Sequence, residues 1–308
     1  MAENSENRNS ENFSLFSSSG GKVNFGLGFF DTPETPLPPP PPSVEVLSTE
    51  ASSSVKFIVE PVNLDGFTLL KGRVSTQEVF ALSNSDLVPG KYEGGLKLWE
   101  CSLDLIKALR SEVEDGHLAF TGKRVLELGC GHGLPGIFAC LEGAAAVHFQ
   151  DFNAEVLKCL TIPNVKANSP KIFQPSKTNG IECERVTDVR FFAGDWSEID
   201  RILPLLCESK NEEHHCSSGN SGYDIILMAE TVYSITILQK LYELIKKCMS
   251  YPHGVVYMAA KKHYFGVGGG TRHFLSVVEK DGLMAFSKVA EVADGSSNVR
   301  EVWKLSFK

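Results

Sequence analysis

The sequence predicts an α/β domain with a doubly wound, mostly parallel sheet, and three observations support this prediction. From Gly122 onward, short apolar runs alternate with segments of helical periodicity. Residues 124–134 join an apolar run to three alternating glycines and then to a helical segment, which is typical of a strand, a tight turn and a helix. The apolar runs near 286–292 and 299–307 have no helix between them, so we expect a C-terminal hairpin that adds an antiparallel edge strand.

The first 54 residues differ in composition from the rest. They are rich in Ser, Asn, Glu and Pro, include a proline run at 38–42, and hold seven acids and two bases, which gives −5 of the formal net charge of −8. Such a composition cannot bury enough apolar surface to offset the loss of chain entropy. We therefore predict a disordered acidic, proline-rich tail at 1–54 and one folded domain at 55–308.

Composition and charge also narrow the possible functions. The net charge is acidic, so we expect no direct nucleic-acid binding. The sequence has no run of 18 apolar residues and no apolar N-terminal signal, which predicts neither a membrane span nor secretion. The eight cysteines are scattered and form no C-x-x-C pair, which favours reduced thiols. We expect a monomer in the cytoplasm and the nucleus.

Two polar stretches interrupt the strand–helix alternation, near 168–188 and 208–222, and both are predicted to be surface loops. The second contains His214, His215 and Cys216. No fourth ligand follows at zinc spacing, and Ser and Gly surround the three residues. A solvated loop therefore explains them better than a metal site, and we expect no metal.

The glycine turn predicts a site for a nucleotide-type ligand. Its spacing is E-x-G-x-G-x-G, formed by Glu127, Gly129, Gly131 and Gly133, and the dinucleotide spacing G-x-G-x-x-G fails because Leu134 takes the last glycine position. Such a turn lets the backbone approach a ligand closely, and the helix that follows offers unpaired N–H groups. A plain structural corner is the alternative for this motif alone.

Two later strands end in residues that suit a nucleoside. Asp151 lies 22 positions after Gly129, where a nucleotide site places the acid that accepts from ribose hydroxyls, and Asn153 could bind the same sugar. A helix N-cap is the other role open to Asp151. After the next strand, Asp195 could accept from an adenine amino group and Trp196 could flank the ring, unless the indole belongs to the core.

Two further segments could bind a substrate. Glu230 and Tyr233 directly follow the strand at 223–229, where a helix-capping acid and a packed aromatic ring are the alternative. The segment 261–270 contains His263, two lysines, two aromatic residues and four glycines. Such a run of glycines usually marks close backbone approach or a moving rim around a site.

Taken together, these motifs resemble those of the histidine protein methyltransferases, a family related to the protein lysine methyltransferases of the seven-strand class. The similar motifs are L-K-L-W-E-C, V-L-E-L-G-C-G-H-G, H-F-Q-D-F-N, F-F-A-G-D-W, A-E-T-V-Y and K-K-H-Y-F-G-V-G-G-G. They extend from about residue 91 to the C-terminus. The glycine turn and E-T-V-Y are shared with the lysine enzymes, whereas the 261–270 segment, W-E-C and the D-F-N and G-D-W variants point to the histidine branch.

The resemblance implies a Rossmann-like seven-stranded fold, S-adenosylmethionine (SAM) as the cofactor, and as substrate a histidine of a large-subunit ribosomal protein. Ala229 stands where a serine is expected, which removes at most one polar contact, worth about 1 kcal/mol. The SAM site that the motifs imply comprises Trp99, Glu100, Cys101, Glu127, Gly129, Gly131, Gly133, Asp151, Phe152, Asn153, Gly194, Asp195, Trp196 and Ala229.

The reaction that this resemblance implies is methyl transfer to an imidazole nitrogen. With an ordinary pKa of about 6.5, imidazole is mostly neutral and nucleophilic at pH 7, so the site must align it and select one tautomer. As a hypothesis, Glu230 accepts the hydrogen of the other ring nitrogen, while Tyr233, His263 and Tyr264 line the entrance. A lysine methyltransferase on the same scaffold and a non-catalytic SAM-binding scaffold protein are the alternatives.

Overall fold

The computed structural model describes residues 39–83, 85–170, 187–203, 222–293, 295 and 298–308. The strands are β1 Val44–Val46, β2 Ile58–Leu64, β3 Phe67–Arg73, β4 Arg124–Leu128, β5 Ala146–Asp151, β6 Asp188–Ala193, β7 Ile225–Ala229, β8 Val255–Lys261, β9 Met284–Val292 and β10 Arg300–Phe307. The helices are α1 Thr76–Phe80, α2 Glu100–Glu114, α3 Leu134–Leu141, α4 Ala154–Val156, α5 Ile162–Asn168, α6 Ile235–Cys248 and α7 Thr271–Asp281. No helix in these ranges is long and apolar enough to cross a bilayer.

Eight of the strands form one sheet in the order β1-β6-β5-β4-β7-β8-β10-β9, and β2 and β3 form a separate hairpin. Five adjacent strands of this sheet, β6, β5, β4, β7 and β8, run parallel to one another. Strand β10 is antiparallel to both of its neighbours. Successive residues of β4 pack on opposite faces, with Val125 among residues of α2 and α3 and Leu126 among residues of α6 and α7. The predicted doubly wound α/β fold is confirmed.

The sheet departs from the predicted one at both ends. The antiparallel strand β10 lies between β8 and β9 rather than at the edge, and its Val302 and Leu305 are fully buried there. Strand β1 falls inside the stretch for which a disordered tail is predicted. It pairs with β6, Val46 is buried, and Glu45 forms two 2.7 Å contacts with Arg190.

The helical segment after β5 is longer than its periodicity suggests, since a π-helical turn at Leu157–Thr161 joins α4 to α5. The π turn precedes Pro163, which has no N–H to donate within a regular helix. Beyond it, Asn164 and Asn168 accept the backbone N–H groups of Gly72 and Leu70 at 2.5 and 2.8 Å and so anchor strand β3.

Strands β4, β5, β6 and β7 end at the same edge of the sheet because they run parallel. The residues that follow them are Gly129, Phe152, Gly194 and Glu230. In an open α/β sheet this edge is where ligands bind. The topology therefore brings together four motifs that are far apart in sequence.

Candidate functional site

A cleft opens at this edge of the sheet, with about 810 Å³ of empty space that includes the solvent at its mouth. Its walls come from the ends of β4 to β7 and from the segment before α2. It is lined by Glu93, Gly94, Gly95, Lys97, Trp99, Ser102, Gly129, Cys130, Gly131, His132, Asp151, Phe152, Gly194, Asp195, Trp196, Ala229, Glu230, Thr231, Tyr233 and Ile237.

The glycine turn forms the floor of the cleft. Gly129 and Gly131 have φ of +60° and +49°, a conformation that side chains with a Cβ rarely adopt. A Cβ on Gly131 would lie 2.9 Å from the carbonyl oxygen of Gly95, and one on Gly129 would lie 2.9 Å from the Thr231 methyl group. The turn thus requires glycine both for its conformation and for the approach of the neighbouring segments.

Two members of the glycine motif lie behind this floor. Glu127 is buried, outside the cleft lining, and accepts the N–H of Gly136 at 2.8 Å, so it links β4 to α3. Burial raises the pKa of Glu127 well above its usual range. Gly133 precedes α3 and packs against Thr161 and Phe149. Both residues shape the turn from outside the cleft.

Asp151 ends β5 and lines the cleft beside the glycine turn. Its carboxylate accepts the N–H of Gly131 at 2.9 Å and that of Asn153 at 3.1 Å. Burial raises its pKa to about 6, although these hydrogen bonds act in the opposite direction. Phe152 also lines the cleft. This placement suits the expected contact with ribose hydroxyls, which remains a prediction.

Asn153 points away from the lining and holds the segment that covers the cleft. Its side chain accepts the N–H of Glu93 at 3.2 Å and donates to the carbonyl of Lys91 at 2.9 Å. Next along the chain, Trp99 donates from Nε1 to the Gly94 carbonyl at 3.0 Å. Asn153 therefore positions the wall at residues 93–99, and its contact with the sugar remains a prediction.

Gln150, which sequence analysis missed, connects three strand ends. Its Oε1 accepts from Trp196 Nε1 at 2.8 Å and from the Gly129 N–H at 3.3 Å, while its Nε2 donates to the Gly194 carbonyl at 2.9 Å. The side chain is fully buried. Its position directly before Asp151, near the end of a buried strand, is the only signal that could have identified it.

We expect Gln150→Leu to destabilise the fold by about 3 kcal/mol, because three polar groups would lose a buried partner. The free energy of unfolding from urea denaturation measures this. Gln239→Leu is the matched control, since that amide is exposed and bonds only to Glu243 in the described structure. Equal stability of the two variants would contradict the connecting role.

Asp195 and Trp196 form the wall beyond β6. The Asp195 carboxylate accepts from the Ser197 backbone N–H at 2.9 Å and from its hydroxyl at 2.5 Å. With Gly194, both side chains line the cleft, as a contact with adenine requires. Trp196 is partly buried and packs against the core, and its contact with adenine remains a prediction.

The residues before α2 divide between the cleft and its surroundings. Trp99 lines the cleft, whereas the Glu100 side chain is 65% exposed and pairs with Arg300 at 3.1 Å. Cys101 is fully buried outside the lining, and burial together with the nearby Glu230 raises the pKa of its thiol well above the usual range. Ala229 lines the cleft at the end of β7.

Glu230 is a buried carboxylate in a left-handed backbone conformation, with φ of +58°. Oε2 accepts a hydrogen bond from the Tyr264 hydroxyl. Oε1 is buried and has no hydrogen-bond partner within the described residues, and Lys261 Nζ lies 4.0 Å away. Strained backbone and an unsatisfied buried acceptor are both features that concentrate at functional sites.

The other two predicted substrate-site residues differ in placement. Tyr233 lines the cleft and donates a hydrogen bond to Glu93 across it; burial, with the Glu93 charge, raises the pKa of its hydroxyl above the usual range. His263 is exposed, outside the lining, with its ring centroid 6.4 Å from that of Phe265. His263 thus lies on the outer surface of the 261–270 segment.

Several other lining residues carry no motif in the sequence. Glu93, Gly94 and Gly95 belong to a segment without strand or helix periodicity, and only their contacts across the fold place them in the site. His132 is buried, with Nε2 3.2 Å from the Leu96 carbonyl, and burial lowers its pKa to about 4. The predicted loop that contains His214, His215 and Cys216 lies outside the described residues.

Sequence comparisons identify several proteins that are similar to this chain. A Dictyostelium discoideum protein named histidine protein methyltransferase 1 homolog is 40% identical over 227 residues, which cover 74% of this chain and 62% of that protein. The Bos taurus protein of the same name is 37% identical over 239 residues, with 74% and 60% covered. EEF1A lysine methyltransferase 3 of Mus musculus is 28% identical over 168 residues, with 54% and 55% covered. No protein-family model matches the chain.

The chain spans about three fifths of the length of the histidine protein methyltransferase relatives that it matches. Its identity to them is higher than to the lysine enzyme, and the match covers a larger share of the chain. This ranking agrees with the predicted branch. Over about three quarters of its length, the chain is therefore similar in sequence to the histidine protein methyltransferases, at 37–40% identity.

Proposed function

We propose that this protein is a SAM-dependent protein-histidine methyltransferase whose substrate is a histidine of a large-subunit ribosomal protein. One observation supports the proposal most directly. In the same cleft, Asp151 and Trp196 form a wall that suits a nucleoside, and the buried Glu230 carboxylate has one oxygen without a hydrogen-bond partner among the described residues. The names of the relatives support the same reaction. We further propose that it acts as a monomer in the cytoplasm and the nucleus.

The residues of the cleft fit the cofactor. The backbone at Gly129 and Gly131 leaves no room for side chains, as expected of a floor that a ligand approaches closely. Asp151 offers a carboxylate for hydroxyl groups, and Trp196 and Asp195 offer an aromatic face and an acceptor for a base. Gly95 closes over the turn from the opposite wall.

When bound, SAM supplies an electrophilic methyl group on its sulfonium. In our proposal the chain positions a neutral imidazole, whose unprotonated nitrogen needs no base to become nucleophilic. Glu230 Oε1 would accept the N–H of the other ring nitrogen, which selects one tautomer and stabilises the imidazolium that forms. Tyr264 stays protonated, because burial and Glu230 raise its pKa well above the usual range, and it orients the carboxylate.

Cofactor affinity should fall as the pH drops through 6. Because burial raises the pKa of Asp151 to about 6, its carboxyl is protonated below that pH in the free protein, and hydroxyl donors then lose their acceptor. We expect the Kd of S-adenosylhomocysteine to be about tenfold higher at pH 5 than at pH 7, measured by calorimetry. His132, with a pKa of about 4, stays neutral over this range.

The variant Asp151→Asn is the control for this pH dependence. It should bind the ligand weakly at both pH values and lose the difference between them. A pH dependence that persists in the variant would assign the titration to another group.

The proposed substrate is tested by incubating the purified protein and isotopically labelled SAM with two fractions of a cell extract, purified large ribosomal subunits and ribosome-depleted soluble protein. We expect the label in one large-subunit protein. Label that appears only in the soluble fraction would overturn the ribosomal substrate while leaving the methyltransferase assignment intact. Binding of S-adenosylhomocysteine without any transfer would favour the scaffold reading.

A further inference from the structure

Lys261 lies in a ready-made cation site next to the cleft. Its Nζ is 4.0 Å from Glu230 Oε1, 5.6 Å from the centroid of the Trp99 ring and 5.9 Å from that of Tyr264. The side chain is only 25% exposed. A carboxylate and two aromatic rings around one ammonium group are the arrangement by which proteins bind cations. We call Glu230, Trp99 and Tyr264 the cation cage.

The cage borders the cleft. Two of its members, Trp99 and Glu230, line the cleft. Tyr264 connects the cage to β8, since its hydroxyl accepts the backbone N–H of Lys261 at 3.3 Å and donates to Glu230 Oε2. The cage is therefore fixed to the strand that supplies its ammonium group.

The charges around the cage leave it without a net attraction for a second cation. The carboxylate of Glu230 already faces the Lys261 ammonium. A second lysine, Lys97, lies 4.5 Å from the Trp99 ring centroid and pairs with Asp86 at 2.5 Å. A substrate ammonium that approached Trp99 and Glu230 would meet like charge, whereas a neutral imidazole would not.

We propose that Lys261 fills, from within the chain, the site that a lysine substrate would occupy, and so determines specificity for a neutral side chain. This inference rests on the proposed function, because it concerns the residue type that the same cleft accepts. It identifies Lys261 as a specificity-determining residue that acts through charge and occupied space and need not touch the methylated group.

Removal of the Lys261 side chain should allow the cage to bind an external ammonium ion. The probes are n-butylammonium, which mimics a lysine side chain, and 4-methylimidazole, which mimics histidine, each titrated into the protein saturated with S-adenosylhomocysteine. The signal is the indole N–H resonance of Trp99, one of three tryptophans, assigned with Trp196→Phe and Trp303→Phe variants. Lys261→Ala should bind n-butylammonium at least tenfold more tightly than the wild type, with 4-methylimidazole affinity changed less than threefold.

Lys262→Ala is the matched control, since it removes one positive charge from the neighbouring position outside the cage. It should leave both affinities unchanged. If Lys261→Ala does not fold, Lys261→Met keeps the apolar stem and removes only the charge. It should show a gain of at least threefold, smaller than that of Lys261→Ala because the stem still occupies space. A gain below threefold, or an equal gain in Lys262→Ala, would overturn the inference.

A second measurement separates this inference from the proposed function. Wild type and Lys261→Ala are each incubated with labelled SAM and ribosomal protein, and the labelled residues are identified. The binding titration does not depend on transfer, so an ammonium gain with no methylhistidine from the wild type would keep the cation cage and reject the proposed function. Methylhistidine from the wild type, without any gain in n-butylammonium affinity for Lys261→Ala, would keep the proposed function and reject the cation cage.

Discussion

Gly131→Ala is expected to raise the Kd of S-adenosylhomocysteine at least 100-fold. The residue has φ of +49°, where a Cβ adds strain of roughly 1–2 kcal/mol, and that Cβ would lie 2.9 Å from the Gly95 carbonyl oxygen. Relief of the contact must move the backbone of one cleft wall, because overpacked sites relax by shifting their neighbours. Calorimetric titration measures the Kd, and thermal unfolding shows how much stability is lost.

The control for this variant is Gly122→Ala. Gly122 has a similar positive φ of +75°, but a Cβ there has no neighbour within 4 Å, and the residue does not line the cleft. It should lose stability from backbone strain and retain ligand affinity. Unchanged affinity in Gly131→Ala, with the same loss of stability in both variants, would show that the turn is only a structural corner.

Glu230→Gln is expected to reduce kcat about 100-fold with less than a threefold change in the Kd of S-adenosylhomocysteine. The amide can still accept the Tyr264 hydrogen bond, so the pocket should keep its shape. It cannot offer a charged acceptor to the imidazole N–H, and the methylimidazolium that forms would lose its counter-charge. Steady-state rates with saturating substrate and calorimetry on the same preparation separate the two effects.

Glu301→Gln provides the comparison for this substitution. Glu301 is also a buried carboxylate with one unsatisfied oxygen, but it lies on β10 outside the cleft lining. Its substitution should change stability more than turnover. Equal losses of turnover and ligand affinity in Glu230→Gln would assign Glu230 to ligand binding or folding, and the tautomer-selecting role would be wrong.

Sequence predicts well the parts of the site where one local motif indicates both where a residue lies in the fold and which chemical group it offers. A glycine turn after an apolar strand, and an acid at the end of the next strand, are adjacent in space because parallel strands share an edge. The alternation of strands and helices therefore sufficed to place Gly131, Asp151 and Trp196 in one cleft.

Motif membership did not distinguish residues that face the cleft from residues that support it. Glu127, Gly133 and Asn153 belong to the same motifs as Gly131 and Asp151, but they bond to α3, pack behind the turn, or hold the 93–99 wall. Side-chain direction at a turn depends on tertiary packing, which the spacing of residues in a motif does not reveal. For the same reason, sequence spacing did not reveal that His263 is exposed whereas its neighbour Tyr264 bonds to Glu230.

Long-range contacts were beyond sequence reasoning altogether. Gln150 and Glu93 take part in the site through partners that are 21 to 140 positions away. Strand β1 pairs with β6 across 145 to 149 positions, and β10 rather than β9 lies next to β8. A hairpin pattern predicts that two strands pair, but not which of them lies at the edge.

The most direct test of the central claim is the identity of the methylated residue after reaction with labelled SAM and ribosomal protein. Hydrolysis of the labelled protein and mass spectrometry of its amino acids distinguish methylhistidine from methyllysine. Our account predicts methylhistidine, strongly reduced in Glu230→Gln and retained in Glu301→Gln. Methyllysine as the sole product of the wild type would contradict it and assign the chain's activity to the lysine enzymes.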